Sequence, residues 1–160
     1  MKIEVRNVKV AKFASQETLC FEAKIVIDDK VVGTVTNAGH GGCNEYHPWS
    51  IHDTLTDHAK TLPDITRYTP ALKMTADLVI DELVHDFLVA KDFKKTLASR
   101  VLCLDNDGFF VQTKKLPKGT DVLAVARSFV GRPNVTQVLN LLPEAEALAI
   151  LKNKAKSEWV

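Results

Sequence analysis

The sequence has few cysteines and no excess of either charge. Its three cysteines, Cys20, Cys43 and Cys103, are odd in number, and none belongs to a CxxC pair. This usage predicts free thiols in a reducing compartment rather than a disulfide framework. The 21 basic and 20 acidic side chains give a formal net charge of +1. That balance argues against nucleic acid as a main partner, and equally against an acidic mimic of DNA.

Long apolar runs and targeting segments are also missing. Residues 1–6 alternate apolar and charged side chains, unlike a signal peptide. No apolar run approaches the roughly 20 residues that a membrane helix needs. We therefore expect a cytoplasmic protein with no membrane partner. Its 160 residues, 46% of them hydrophobic, predict one domain over residues 1–160 with a core of its own.

The spacing of apolar residues predicts strands first and helices later. Alternation over residues 3–10, 19–27 and 31–36 predicts three strands, with a bulge near Asn7 and a hairpin turn at 28–30. Residues 51–61 fit a short helix. A long helix is predicted from Pro70 to about Ala90 or a little beyond, because apolar residues recur there at every third or fourth position.

The last third of the chain mixes strands and helices. Strands are predicted at 100–104 and 109–113, followed by a helix capped by Thr120, a strand over 135–141 and a helix from Pro143. The expected fold class is α+β, with a mainly antiparallel sheet, one long central helix and two shorter C-terminal helices.

The segment 37–52 is the most unusual part of the sequence. Residues 37–49 hold three of the seven glycines and one of the two tryptophans, and four of the five histidines lie between positions 40 and 58. Glycine permits backbone conformations that other residues avoid, so a valine at Gly41 or Gly42 is expected to abolish function. The candidate ligand-binding residues are Gly39, His40, Gly41, Gly42, Cys43, Asn44, Tyr46, His47 and Trp49.

Anion binding is one chemistry open to this segment. Successive backbone N–H groups in a glycine-rich turn form concavities for phosphate or carboxylate. The segment lacks the GKS or GKT of a P-loop and the GxGxxG of a dinucleotide site, and the glycines could equally just permit a tight turn. Tyr46, Pro48 and Trp49 fit either a surface that stacks on a base or partner, or a lid on the long helix.

Metal binding and nucleophilic catalysis are the alternatives. His40, Cys43, His47 and His52 are zinc-ligand types, although their spacings of 3, 4 and 5 match no closed zinc pattern and the sequence has no HExxH. Cys43, with His40 and His47 nearby, could form a thiolate nucleophile. The same cysteine could simply be a small residue half-buried beneath the loop.

Most of the chain resembles small uncharacterised accessory proteins of tailed bacteriophages and prophages. The resemblance lies in the runs at 14–18, 20–21, 33–35, 39–43 and 141–147. The resemblance implies no activity and no catalytic residue. It implies an accessory protein of the host cytoplasm, acting on a host enzyme, a defence system or a signalling nucleotide.

We predict a non-enzymatic binding protein whose 37–52 loop recognises a small anionic ligand, a nucleotide being one candidate, or a host protein, without a cofactor. The alternative is a small zinc- or cysteine-dependent enzyme that uses His40, Cys43, His47 and His52. A third interpretation is a structural domain in which the loop only packs. Homo-oligomerisation stays open in all three.

Overall fold

The structure, a computed structural model, describes residues 1–66 and 69–157, with side chains described as far as residue 153. The chain divides into two units, Met1–Leu88 and Val89–Val160. Each unit has an antiparallel sheet and helices, so the predicted α+β class is confirmed. The prediction of one domain over residues 1–160 stays a prediction. Within the described residues, no helix has both the length and the apolar character needed to cross a membrane.

The first unit is built on a four-stranded antiparallel sheet. Its strands are β1 (Ile3–Val10), β2 (Phe21–Ile27), β3 (Lys30–Asn37) and β4 (Glu45–His47), in the order β1-β2-β3-β4. Asp28 and Asp29 both have positive φ, 46° and 65°, as a two-residue type I′ hairpin turn requires. The predicted bulge is confirmed by Asn7, whose φ is 55° where the β1–β2 register shifts.

One face of this sheet is buried against two helices. These are α1 (Ser50–Ala59) and the first part of α2 (Ala76–Leu97). Alternation along β2 buries Phe21, Ala23 and Ile25, as the period-2 pattern predicted. Helical residues that complete this core include Ile51, Leu55, Ala59, Ala76, Val79, Ile80 and Val84.

Helix α2 begins later and ends later than the sequence predicted. Ile65 and Leu72 exchange backbone hydrogen bonds of 2.8 and 3.1 Å, so the chain around Leu72 is extended rather than helical. The helix starts where the Thr75 hydroxyl accepts a hydrogen bond from the backbone N–H of Leu78, an N-cap arrangement. It continues past Ala90 to Leu97, because Phe93 is buried in the core of the second unit.

The second unit has a three-stranded sheet covered on both faces. Strands β5 (Leu102–Leu104), β6 (Phe110–Gln112) and β7 (Gln137–Val138) lie in the order β6-β5-β7. Side chains at and just before β5 point alternately to the two faces of the sheet. Leu102 packs on one face with Phe93 and α4 (Glu144–Ser157). Val101 and Cys103 pack on the other face with α3 (Val122–Arg127). The long helix and the two shorter C-terminal helices are therefore all present.

Two boundaries predicted in this unit were wrong. The N-cap of α3 is Asp121 rather than Thr120, since the Asp121 carboxylate accepts from the N–H groups of Leu123 and Ala124, each at 3.1 Å. The strand predicted over 135–141 is only Gln137–Val138, because residues Leu139–Leu141 form a 3-10 helix.

Asn140, inside that 3-10 helix, fastens three backbone groups together. Its side-chain oxygen accepts from the Leu102 N–H at 2.8 Å. Its amide nitrogen donates to the Leu97 and Arg100 carbonyls at 3.0 and 2.8 Å. The end of α2 and the start of β5 are thereby joined.

Candidate functional site

Asn37 organises the glycine-rich loop from its position at the end of β3. Its side chain is 7% exposed, and its oxygen accepts from the Gly39 N–H at 2.8 Å and the Thr18 hydroxyl at 2.9 Å. Its nitrogen donates to the Gly42 carbonyl at 3.1 Å and to the Asn44 side-chain oxygen at 2.9 Å. All four hydrogen-bonding positions of the amide are used, which closes residues 37–44 into an ordered loop.

The Gly39 carbonyl is bound by the chain itself. It accepts from the backbone N–H groups of residues Gln16, Glu17 and Thr18 at 2.9, 3.1 and 3.4 Å. Three successive N–H groups pointing at one oxygen form the kind of concavity that binds anions in other proteins. Here that concavity holds an internal carbonyl, so the 16–18 segment and the glycine-rich loop are locked together.

The three glycines of the loop have different reasons to be glycine. Gly39 has a φ of +85°, and a Cβ there would collide with the Ala14 carbonyl oxygen. Gly41 also has a φ of +85°, and a Cβ there would meet the carboxylate of Glu17, a flexible side chain. Gly42 has neither constraint, because nothing lies within 4 Å of its added Cβ. The structure therefore gives no steric reason to expect damage from a larger residue at Gly42.

Two side-chain hydrogen bonds tie the far end of the loop to α2. The Asn44 amide donates to the Asp81 carboxylate at 3.0 Å, and the Tyr46 hydroxyl donates to the Asp77 carboxylate at 2.7 Å. Asp77 and Asp81 are four residues apart, one turn of the same helix. The loop thus carries a continuous chain of hydrogen bonds from Thr18 through Asn37 and Asn44 to Asp81.

Two residues of these loop-to-helix hydrogen bonds, Asp81 and Tyr46, have perturbed pKa values. Burial raises the pKa of Asp81 above its ordinary value, the Asn44 hydrogen bond lowers it, and the negative charge of Asp77 raises it again. Part of the Asp81 side chain remains exposed, so water still screens its charge. Burial, followed by the hydrogen bond to Asp77, raises the pKa of Tyr46, which stays a proton donor at neutral pH.

A cleft of about 580 Å³ lies between the loop and this face of α2. We call it the loop cleft. Its loop wall consists of residues with short side chains: Asn37, Gly41, Gly42, Cys43 and Asn44. Beside them lie residues from the start of β2 and the segment before it: Thr18, Leu19 and Phe21.

The negative charge of the loop cleft comes from its helix wall. Its residues follow one side of α2: Asp77, Asp81, Val84, His85 and Leu88. Among the described residues that line the cleft, none is lysine or arginine. The cleft therefore combines two carboxylates and an exposed imidazole with the apolar side chains of Leu19, Phe21, Val84 and Leu88.

Four of the nine predicted binding residues line this cleft, and the other five lie elsewhere. Gly41, Gly42, Cys43 and Asn44 face it, and the Cys43 thiol is free and exposed. Gly39 is buried beneath the loop, and His40 is exposed with its Nδ1 3.3 Å from the Gln16 side-chain oxygen. Tyr46 is buried in the core, whereas His47 and Trp49 are exposed outside the cleft lining.

Trp49 belongs to a separate aromatic cluster with Tyr46 and His52. The Trp49 and His52 rings stack, with centroids 4.5 Å apart and planes 20° apart. Both rings meet Tyr46 edge to face, at 6.2 Å from Trp49 and 5.3 Å from His52. The cluster lies at the start of α1 and extends from the first core, which contains Tyr46, to the surface, where Trp49 is 59% exposed.

The four residues proposed as zinc ligands are not assembled. Within residues 1–66 and 69–157, no three His, Cys, Asp or Glu side chains are placed to hold one metal ion. His52 stacks on Trp49 and His40 lies beside Gln16, so neither joins Cys43 or His47 in a ligand set. Short spacing in the sequence did not translate into convergence in space.

The helix wall of the loop cleft was not predicted from the sequence. Asp77, Asp81 and His85 recur at intervals of four, a spacing that places side chains on one helical stripe. This stripe was not recognised because acidic residues on an amphipathic helix usually form its solvent-exposed side.

Comparison with protein-family models, curated proteins and solved structures found no match to this chain.

Proposed function

We propose that the protein is a binding protein whose loop cleft takes the positively charged end of a partly apolar ligand. The observation that carries this proposal is the pair of carboxylates, Asp77 and Asp81, one helical turn apart in the cleft. No ion pair among the described residues involves either of them. Like charges at this spacing repel, and a bound cation would relieve that repulsion.

The remaining lining supports a ligand with an apolar body. Leu19 and Phe21 on one side and Val84 and Leu88 on the other offer hydrocarbon and ring surface beside the charged pair. Small-molecule sites commonly combine apolar walls with a few fixed polar groups. Here Asn44 and Tyr46 hold one oxygen of each carboxylate in place, which keeps the site organised before a ligand arrives.

This proposal keeps part of the predicted recognition loop and changes the charge of its ligand. An anion would need N–H donors from the glycines, but the Gly39 and Gly41 N–H groups already donate to Asn37 and Thr18. An anion in the loop cleft would also face Asp77 and Asp81. A free amine, or a lysine or arginine side chain of a host protein, has the charge that this lining favours.

Matched probes of opposite charge test the proposal. Benzylammonium and benzoate have similar shapes, and isothermal titration should detect binding of benzylammonium alone. Asp81→Asn should weaken benzylammonium about tenfold or more, because a charge-assisted hydrogen bond is typically worth ~1.5–3 kcal/mol. Affinity should also fall as the pH is lowered through the raised pKa of Asp81, since a protonated carboxyl no longer attracts a cation.

Glu82→Gln supplies the control, because Glu82 is an exposed acid of the same helical turn that does not line the cleft. It should leave the affinity for benzylammonium unchanged. Tighter binding of benzoate, or equal losses in the two variants, would reject the cationic ligand. Titration with N-acetyl-lysine-amide then separates the sources: tighter binding than benzylammonium points to a protein side chain.

A further inference from the structure

The near-neutral charge of the chain is the sum of two opposite charges. The first unit, Met1–Leu88, contains 13 acidic and 9 basic residues, and the second, Val89–Val160, contains 7 acidic and 12 basic residues. The formal charges are therefore −4 and +5, with histidine neutral. Such asymmetry between two parts of one chain is typical of proteins with a polyanionic partner.

Backbone hydrogen bonds bring separate basic segments of the second unit together. The connector between β6 and α3 runs beside the end of α2, where the Leu116 N–H donates to the Ser99 carbonyl at 2.9 Å. The Thr113 N–H donates to the Val101 carbonyl at 3.0 Å. These bonds set Lys114 and Lys115 opposite Arg100, just after the end of α2. The Ser99 hydroxyl donates to the Lys95 carbonyl at 3.0 Å, which connects this stretch to the last turn of α2. We define the basic surface as Lys95, Arg100, Lys114, Lys115 and Lys118.

The charges of the basic surface are open to solvent and are not neutralised internally. Its four lysines are exposed and Arg100 is half-buried. Among the described residues, none of the five forms an ion pair, whereas neighbouring Lys94 pairs with Glu144 at 3.3 Å. Asp121, three residues after Lys118, is occupied in capping α3, and Asp92 lies three residues before Lys95 on α2.

We infer that the second unit binds the phosphate backbone of nucleic acid through the basic surface. Lysine presents a compact charge on a flexible stem, which suits phosphate contacts that carry no sequence information. Leu116, the large apolar residue among the connector's lysines, packs inward against the α3 core. The surface therefore offers charge rather than the buried apolar anchor that dominates protein–protein interfaces. This inference is independent of the loop cleft.

Fluorescence anisotropy of the full chain with a labelled 20-base-pair duplex tests the inference. We expect binding at 50 mM salt that weakens steeply by 200 mM, because each neutralised phosphate contributes about −0.9 to the slope of log K against log salt. Replacing all three connector lysines (Lys114→Gln, Lys115→Gln, Lys118→Gln) should reduce that slope by about 2.7. Lys115→Gln alone should reduce it by about 0.9.

A charge-matched triple variant in the first unit is the control. Lys12→Gln, Lys24→Gln and Lys30→Gln remove the same net charge from exposed positions and should leave the slope unchanged. No binding at 50 mM salt, or equal loss in both triple variants, would overturn the inference. Displacement of the duplex by poly-glutamate at equal charge concentration would overturn it in favour of an acidic protein partner. Circular dichroism should show every variant folded.

Discussion

Each unit of this protein closes an irregular stretch of chain around one asparagine amide, but the two amides have different partners. Asn140 bonds only to backbone groups, those of Leu97, Arg100 and Leu102. Asn37 also bonds to the side chains of Thr18 and Asn44, and Asn44 continues to a carboxylate on α2. An amide that fastens backbone supports the fold, whereas one that orders other side chains also shapes a site.

The glycines repeat this contrast. Gly39 and Gly119 have nearly the same backbone angle, with φ of +85° and +88°. Gly39 lies against the Ala14 carbonyl and Cys20, while nothing lies within 4 Å of an added Cβ at Gly119. A left-handed φ is therefore common to both loops, and only the tight packing is particular to the loop that borders the cleft.

The largest expected effect comes from exchanging these two glycines for alanine. Gly39→Ala should destabilise the protein by about 2–5 kcal/mol, because left-handed backbone costs ~1–2 kcal/mol and overpacking adds ~1–3 kcal/mol. Gly119→Ala should cost only the backbone part, about 1–2 kcal/mol. Urea unfolding of both variants measures the difference. Equal losses would mean that the collision at Gly39 is relieved by movement of the 11–15 segment.

Truncating the two asparagines should have the next largest effect. Asn37→Ala and Asn140→Ala each leave buried backbone groups without partners, at a cost of about 1–3 kcal/mol. The variants should differ at the cleft, since only Asn37 holds the loop that carries the exposed Cys43 thiol. We expect faster alkylation of Cys43 in Asn37→Ala and no change in Asn140→Ala. Similar rates in both would show that the loop is held without Asn37.

The smallest effect concerns the charge of Asp81. The pKa of Asp81 is higher in the folded state than in the unfolded state. Protonation of Asp81 therefore stabilises the fold at pH values below about 3.8, and this contribution is lost as the pH rises through the folded pKa. Asp81→Asn should therefore stabilise the protein slightly at pH 7, within about 0.5 kcal/mol. The gain should disappear at pH 3, where both side chains are neutral. Thermal melts at the two pH values measure it.

An unchanged or lower melting temperature for Asp81→Asn at pH 7 would contradict this prediction. If the gain appears and the same substitution also weakens benzylammonium, the carboxylate is maintained for binding at a cost in stability. That combination is the usual sign of a functional group rather than a structural one.

Local patterns predicted the strands of the first unit correctly, because each signal lies within a few residues. The alternation of Phe21, Ala23 and Ile25 and the two aspartates of the hairpin turn are examples. The start of α2 was wrong because it depends on a backbone bridge between Ile65 and Leu72, which a helical apolar spacing does not reveal.

The candidate site was only half predictable for a similar reason. The glycine-rich loop was conspicuous in the sequence, but its histidines point to different neighbours, as His40 and His52 show. Asp77 and Asp81 are 33 and 37 residues beyond Asn44 in the sequence, and folding alone brings them beside it. Whole-chain charge was equally uninformative, because it averaged an acidic unit with a basic one.

The bulge at Asn7 has a consequence for the behaviour of the protein at high concentration. Strand β1 is at the margin of its sheet, where a long flat strand could recruit another molecule by backbone pairing. The left-handed Asn7 interrupts the ladder near its middle, and the flanking Arg6 and Lys9 are charged and exposed. A bulge and exposed charges are devices by which natural proteins keep an edge strand from pairing with another molecule.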